Sequence, residues 1–176
     1  VERWNTYSQV RMGPLVEGAV QFWGLGRGVN PQIPNTRLYK LVIDGAAATY
    51  MQQMAGPGDV QNLLYDVTNF GHYLERRGTA CVIGVGGGRD VQSAILFGYP
   101  DVVGIELNPV FIDLLTGQFA DFAGLGRRPE VSLVVDEARS RLTRMPETCT
   151  WTQMSLIDTW AATAAGAFSL SENALY

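Results

Sequence analysis

ACVIGVGGGRDVQSAILFGYPDVVGIELNP, residues Ala80 to Pro109, is the stretch whose reading decides the fold. A short apolar strand, Ala80 to Val85, runs into a glycine cluster formed by Gly84, Gly86, Gly87 and Gly88. A helix-like segment follows, then a second apolar run, Val102 to Ile105, closed by one acid, Glu106. Strand, glycine turn, helix, strand, acid is the order of an open parallel sheet. It puts helix N-terminal amides and a carboxylate at neighbouring strand ends, in the crevice where nucleotide-like ligands bind. Glycine lets the backbone turn and approach a ligand without a Cβ penalty.

The spacing narrows the ligand. A dinucleotide fingerprint starting at Gly84 needs its third glycine at position 89, which is Arg89. The crowded G-x-G-G-G therefore speaks against a pyrophosphate clamp and an NAD-binding domain. Glu106 is placed to accept hydrogen bonds from both hydroxyls of a ribose, so the segment reads as an adenosyl-ligand site. The competing reading is a glycine turn that only packs strand on helix. Asp90, at the start of the predicted helix, either faces the ligand's amine or complements the helix dipole.

Composition fits one globular domain. The 176 residues are 47% hydrophobic and 17% charged, enough apolar surface for a core and too little charge for disorder. A formal net charge of −4 argues against a nucleic-acid footprint. The arginine pairs 76–77 and 127–128 read as solvated helix ends or loops, and Arg89 as a surface residue. Cys81 and Cys149 provide neither a disulfide framework nor a metal spacing, so Cys81 reads as a buried, reduced, cytosolic-type thiol. The longest small-residue run, Ala161 to Leu170, is too short to cross a bilayer. A chain that begins at Val1 reads as a fragment, a processed product or an excised domain.

The first third reads as β structure. Tyr7 to Met12 is one expected strand. Leu38 to Ile43 and Ala46 to Met51 are two more, joined at Asp44-Gly45, a two-residue hairpin signal. Gly24 to Pro34 is loop. After Gly56-Pro57-Gly58, Asp59 is expected to cap a helix whose apolar positions are Val60, Leu63, Leu64, Val67 and Leu74. The expected units are thus 1–58, a β-rich N-terminal segment, and 59–176, a partial Rossmann-like domain. In the latter, Gly98 closes the first helix and Asn108-Pro109 opens the second. Val131 to Val135 is a third, buried strand, and Thr150 to Ser155 a fourth.

The runs VIGVGGGRDVQSAILFG (Val82 to Gly98), VVGIELNP (Val102 to Pro109), VVDEARSRL (Val134 to Leu142) and QMSLIDTWAATAAGAFSLSENALY (from Gln153) resemble the spermidine-synthase-like family. The resemblance extends back to RWNTYSQV at Arg3 and VIDGAAATY at Val42. It implies an α/β class I methyltransferase fold, with a parallel sheet incomplete in its C-terminal half behind a small β-rich segment. It also implies binding of S-adenosylmethionine or decarboxylated S-adenosylmethionine, with an amine or polyamine acceptor. An acid of the family beside the adenine falls at Asp136 or Glu137. The two aspartates the family keeps after the fourth strand fall on Ser155 and Asp158, leaving Asp158 as the one carboxylate base. Tyr65-Asp66 is the nearest match to the family's Tyr-His-Glu motif. His72, the sole histidine, reads as a helix-surface residue.

Two functions follow from the sequence. One is a transferase domain on an adenosyl substrate. The other is a catalytically silent adenosyl-binding or interaction module, a piece of a membrane-attached protein. A cytoplasmic setting is expected for either, and an exposed fourth strand is a candidate edge for homo-oligomers.

Overall fold

A computed structural model describes residues 1–18, 22–25, 35–74, 78–145 and 149–156. Two four-stranded sheets share one core. The N-terminal sheet is an antiparallel meander of β1 (Glu2–Trp4), β2 (Gln9–Glu17), β3 (Arg37–Ile43) and β4 (Ala47–Gln52). The hairpin forms as its sequence requires: Asp44 and Gly45 both take positive φ, at 51° and 72°, the twist-matched geometry of a tight β-turn. The register of β2 against β3 shifts between Met12 and Leu15, where Gly13-Pro14 removes one ladder donor. β1 has no counterpart among the strands expected from the sequence.

The second sheet is all parallel. Its strands are β5 (Thr79–Ile83), β6 (Asp101–Glu106), β7 (Val131–Val135) and β8 (Cys149–Gln153), in the order β7-β6-β5-β8. Central β5 is buried on both faces through Ala80, Cys81 and Val82, as a covered parallel strand should be. The order reverses between β5 and β8, creating a switch point at their carboxyl ends. β7 is not the buried strand expected: none of its residues is fully buried, because among the described residues it has a neighbour on one side only.

Helix α1 (Arg89–Leu96) follows β5 and buries seven of its eight residues. Val91, Ala94 and Ile95 form the expected apolar stripe, but the opposite side is covered too. Gln92 Nε2 donates there to the carbonyls of Gln52 (2.8 Å) and Ala123 (3.0 Å), which satisfies the nitrogen in the core, while its buried Oε1 has no hydrogen-bond partner among the described residues. Asn108 caps α2 (Pro109–Asp113) by accepting from Val110 N–H, with Pro109 in the first turn. A π-helical turn (Leu114–Gln118), α3 (Ala120–Ala123) and, after β7, α4 (Ala138–Arg144) complete the described helices.

The segment after Gly56 departs from expectation. It forms two 3-10 helices, Pro57–Tyr65 and Val67–Tyr73, broken at extended Asp66. Asp59 is inside the first, not at its cap, and reaches back to the amides of Ala55 and Gly56. A three-residue repeat cannot keep a 3.6-residue stripe on one face, so Val67 and Leu74 are exposed while Val60 and Leu63 are buried.

Three single-residue expectations are corrected. Cys81 is not a reduced thiol. It is disulfide-bonded to Cys149, 68 residues away, because parallel pairing of β5 with β8 brings the two Cα atoms to 5.7 Å. Arg89 and His72 are buried, not surface residues. Helix α1 is covered on the Arg89 side by the segment around Asp66, and His72 is turned inward onto Phe97 and Trp151.

Candidate functional site

The glycine turn lies at the carboxyl end of β5. Gly84, Gly86 and Gly88 have φ of 76°, 51° and 91°, a region that penalises a Cβ. Gly87 is required for another reason: a Cβ there would run into the carbonyl of Tyr50 in β4. Gly87 N–H also donates to Thr49 Oγ1 (3.1 Å). The turn therefore serves packing against the N-terminal sheet, and its glycine amides are bonded within the protein, Gly84 to the Ile105 carbonyl and Gly88 to the Val85 carbonyl.

Glu106, the last residue of β6, reaches across to this turn. Its carboxylate accepts from Gly86 N–H (2.9 Å) and from Asn108 N–H (2.9 Å). Burial pushes its pKa up, opposed by those amides and by those of Leu107 and Val85. Asn108 is held in turn by Asn5 and Ser8 of the β1–β2 connection. One carboxylate thus ties the ends of two adjacent strands together.

The carboxyl end of β7 adds Asp136, whose N–H donates to the Glu106 carbonyl (3.0 Å). Its side chain accepts from Glu137 N–H and Arg144. Glu137 is the N-cap of α4 and accepts from the amides of Arg139 and Ser140. Those bonds hold its pKa at about 2. A solvent-open groove of ≈ 720 Å³ lies beside them, lined by Asp136, Glu137, Arg139, Ser140, Thr143 and Arg144.

On the other side of the turn, Asp90 sits in the first turn of α1, buried. Burial raises its pKa to about 6, and a hydrogen bond from Ser155, just beyond β8, partly offsets the rise. Arg89 pairs with Asp66, which also accepts from the amides of Trp23 (2.8 Å) and Thr68 (3.1 Å) and from the Thr68 hydroxyl (2.9 Å). The Arg89 guanidinium lies 5.9 Å from the centre of the Trp23 ring. Asp158 lies outside the described residues.

The fold thus gathers Gly84, Gly86, Gly87, Gly88, Asp90, Glu106 and Asp136 along the carboxyl ends of β5, β6 and β7. Glu137 is one residue further, committed to its helix cap. Asp66 and Ser155, which the resemblance aligns with motif positions, join this region, and so does Arg89, which the sequence reads as a surface residue. Asp66 and Arg89 are 23 positions apart, and no local pattern couples them. The one available signal was a charged pair, Arg89-Asp90, directly after a glycine turn.

The raised pKa of Asp90 makes a stability prediction. A carboxyl that binds its proton more tightly folded than unfolded loses stability as pH rises, here from near 3.8 to about 6. Asp90→Asn removes that penalty while keeping an acceptor for Ser155. It is expected to stabilise the protein at pH 7.5 by on the order of 2 kcal/mol and to change little near pH 4. Urea unfolding at the two pH values measures the difference; equal effects at both would show that Asp90 ionises freely.

No protein-family model matches this chain, and no curated protein sequence matches it significantly. Solved structures of similar fold include a spermidine synthase in complex with the transition-state analogue AdoDATO. It is 11% identical, with a TM-score of 0.45, over 70% of this chain and 44% of that one. The spermidine synthase of Thermotoga maritima is 9% identical, with a TM-score of 0.46, over 74% of this chain and 46% of that one. The chain therefore spans less than half the length of either.

Proposed function

We propose that this chain binds an adenosyl ligand, S-adenosylmethionine or its decarboxylated form, as the donor half of a spermidine-synthase-like transferase. The observation that carries this reading is Glu106: an acceptor-only carboxylate at the end of β6, against the amide of a glycine turn, beside the switch point of a parallel sheet. A ribose diol supplies two donors to such a group. In this reading Gly84 to Gly88 admit the ligand's backbone-facing edge, and Asp136 or Glu137 meets the adenine. Asp90 faces the ligand's amine, and Asp158 takes the proton of an acceptor polyamine.

Calorimetry tests the reading. Binding of S-adenosylmethionine, its decarboxylated form or methylthioadenosine is expected, and binding of NAD is not. Glu106→Ala should weaken the adenosyl ligand by about 1.5–3 kcal/mol, the range for hydrogen bonds to a charged group. Because the carboxylate also holds the Gly86 and Asn108 amides, the variant is expected to lose about 1–3 kcal/mol of stability. Affinity is therefore read on the folded fraction. Preferential NAD binding, or unchanged affinity in folded Glu106→Ala, overturns the proposal.

The second reading, a silent adenosyl-binding module, is favoured by Ser155. Where an aminopropyl transferase of this type keeps an aspartate, this chain has a hydroxyl that already serves Asp90 and Gln153. A hydroxyl is no base for a protonated amine.

Among the described residues no helix is long and apolar enough to cross a membrane. A cytoplasmic setting, as the sequence suggests, would expose Cys81–Cys149 to a reducing pool, whereas an oxidising compartment would keep it closed. Thiol counting on protein isolated under alkylating conditions decides between the two. Pairing of copies through the β8 edge is proposed on the same footing and is tested by sedimentation.

A further inference from the structure

We infer that the outer side of the second 3-10 helix, Val67–Tyr73, is a docking surface for a second copy of this chain, with Phe70 at the centre of a two-fold contact. Neither adenosyl binding nor pairing through β8 is needed for it.

The helix is amphipathic with the wrong side out. Three residues make one turn of a 3-10 helix, so side chains at i and i+3 stand one above the other. Asn69 and His72 share one row, and both are fully buried. Val67, Phe70 and Tyr73 share another, and they are 62%, 67% and 53% exposed. Leu74, at the C-cap, is 76% exposed.

The polar row faces inward because the interior supplies its partners. Asn69 Nδ2 donates to Leu63 O (2.8 Å), and Asn69 Oδ1 accepts from Gln153 Nε2 (3.2 Å). His72 Nε2 lies 2.6 Å from Gln153 Oε1. Gly71, in the third row, faces Trp151, and a Cβ there would strike the indole ring. Two rows held in this way turn the apolar row outward, and the helix has no room to roll. The outer row is itself well ordered. The Tyr73 hydroxyl donates to Leu64 O (2.7 Å), which brings it beside Tyr65, and its ring stands edge-on to Phe97 at 5.0 Å. A surface ordered before contact loses little side-chain entropy on docking.

Size and charge make the occupant a second copy. Tyr65, Val67, Phe70, Tyr73 and Leu74 together expose on the order of 450 Å² of apolar surface. A stable dimer takes about 800 Å² from each partner, of which about 57% is non-polar, and that share is again about 450 Å². The chain carries a net charge of −4, so two copies repel except where they meet through an uncharged surface. Among the described residues from 60 to 74, those exposed are Gln61, Tyr65, Val67, Phe70, Tyr73 and Leu74, none of them charged. The same acidity disfavours an anionic lipid surface as the partner.

An uncharged apolar row is self-complementary, as the isologous contact of a two-fold dimer requires. At a rise of about 2 Å per residue, successive side chains of the row lie about 6 Å apart. Two such rows crossing antiparallel put the middle one, Phe70, at the axis. The helix is N-capped by Asp66, the partner of Arg89, so the contact bears on the element that covers the start of α1.

Sedimentation equilibrium of the full chain tests this between about 1 and 100 µM, the weak end for interfaces of this size. A mass rising toward twice the monomer is expected. Phe70→Ser should weaken association on the order of 30-fold, the effect of removing a central anchor. Thr152→Lys, at an exposed position of β8, should leave it unchanged. Hydroxyl-radical footprinting of the wild-type protein gives the same answer without a variant. Phe70 and Tyr73 should lose reactivity as concentration rises, while Trp4, 70% exposed on the N-terminal sheet, keeps it.

A wild-type chain that stays monomeric across the range overturns the inference. So does a dimer that Phe70→Ser leaves intact, one that Thr152→Lys disrupts instead, or a Phe70 equally reactive at both ends of the range. Monomeric protein that floats with phosphatidylcholine vesicles would assign the row to a lipid surface and overturn it as well.

Discussion

Reducing the Cys81–Cys149 bond, or replacing Cys149 by Ser, is expected to cost the folded chain about 4 kcal/mol. The two residues are 68 positions apart, and closing a loop of that length removes about this much chain entropy from the unfolded state. The loss should fall on β8. Among the described residues that strand pairs with β5 alone, and its register against β5 already shifts between Thr79 and Ala80. Urea unfolding with and without reductant measures the effect, and hydrogen exchange locates it. Amides of β8 should lose protection before those of β5 and β6. An unfolding curve that reductant does not move would mean that the native protein carries two thiols.

Breaking the Asp66–Arg89 pair should cost as much or more. Both side chains are buried, at 0% and 8% exposure, and removing one partner strands a charge where water cannot reach it. Arg89→Met is therefore expected to destabilise by about 3–5 kcal/mol. Asp66→Leu should reach the upper end of that range, because Asp66 also holds the amides of Trp23 and Thr68 and caps the second 3-10 helix. The double variant should recover much of the loss, since two apolar groups in place of an ion pair leave no charge uncompensated. A double-mutant cycle from denaturant midpoints gives the coupling. Additive effects below about 1 kcal/mol, the range of an exposed pair, would show that the pair is open to water.

The pair matters to the site because Arg89 stands between Gly88 and Asp90. Anchoring it fixes the junction where the glycine turn becomes α1, and with it the approach of Asp90 to Ser155. The disulfide acts from the other side of the switch point by pinning the start of β8, whose far end carries Gln153. The disulfide and the buried ion pair thus bracket the candidate site.

Local chemistry was legible in the sequence wherever a few adjacent residues decide the outcome. The Asp44-Gly45 hairpin, the glycine turn, the Asn108-Pro109 helix start and the acid closing β6 each depend on backbone preferences or on a cap within one turn of chain. The alternation of strand and helix from Ala80 onward therefore determined a parallel α/β sheet. What the sequence could not determine is pairing between distant residues. Cys81 met Cys149, Arg89 met Asp66, and His72 met Gln153 81 positions away only because β8 returns beside β5 and the 3-10 segment folds over α1. Burial of a charged or polar side chain depends on which partner arrives to satisfy it. Only the tertiary structure supplies that partner, so the residues read as surface on composition alone became the interior wall of the site.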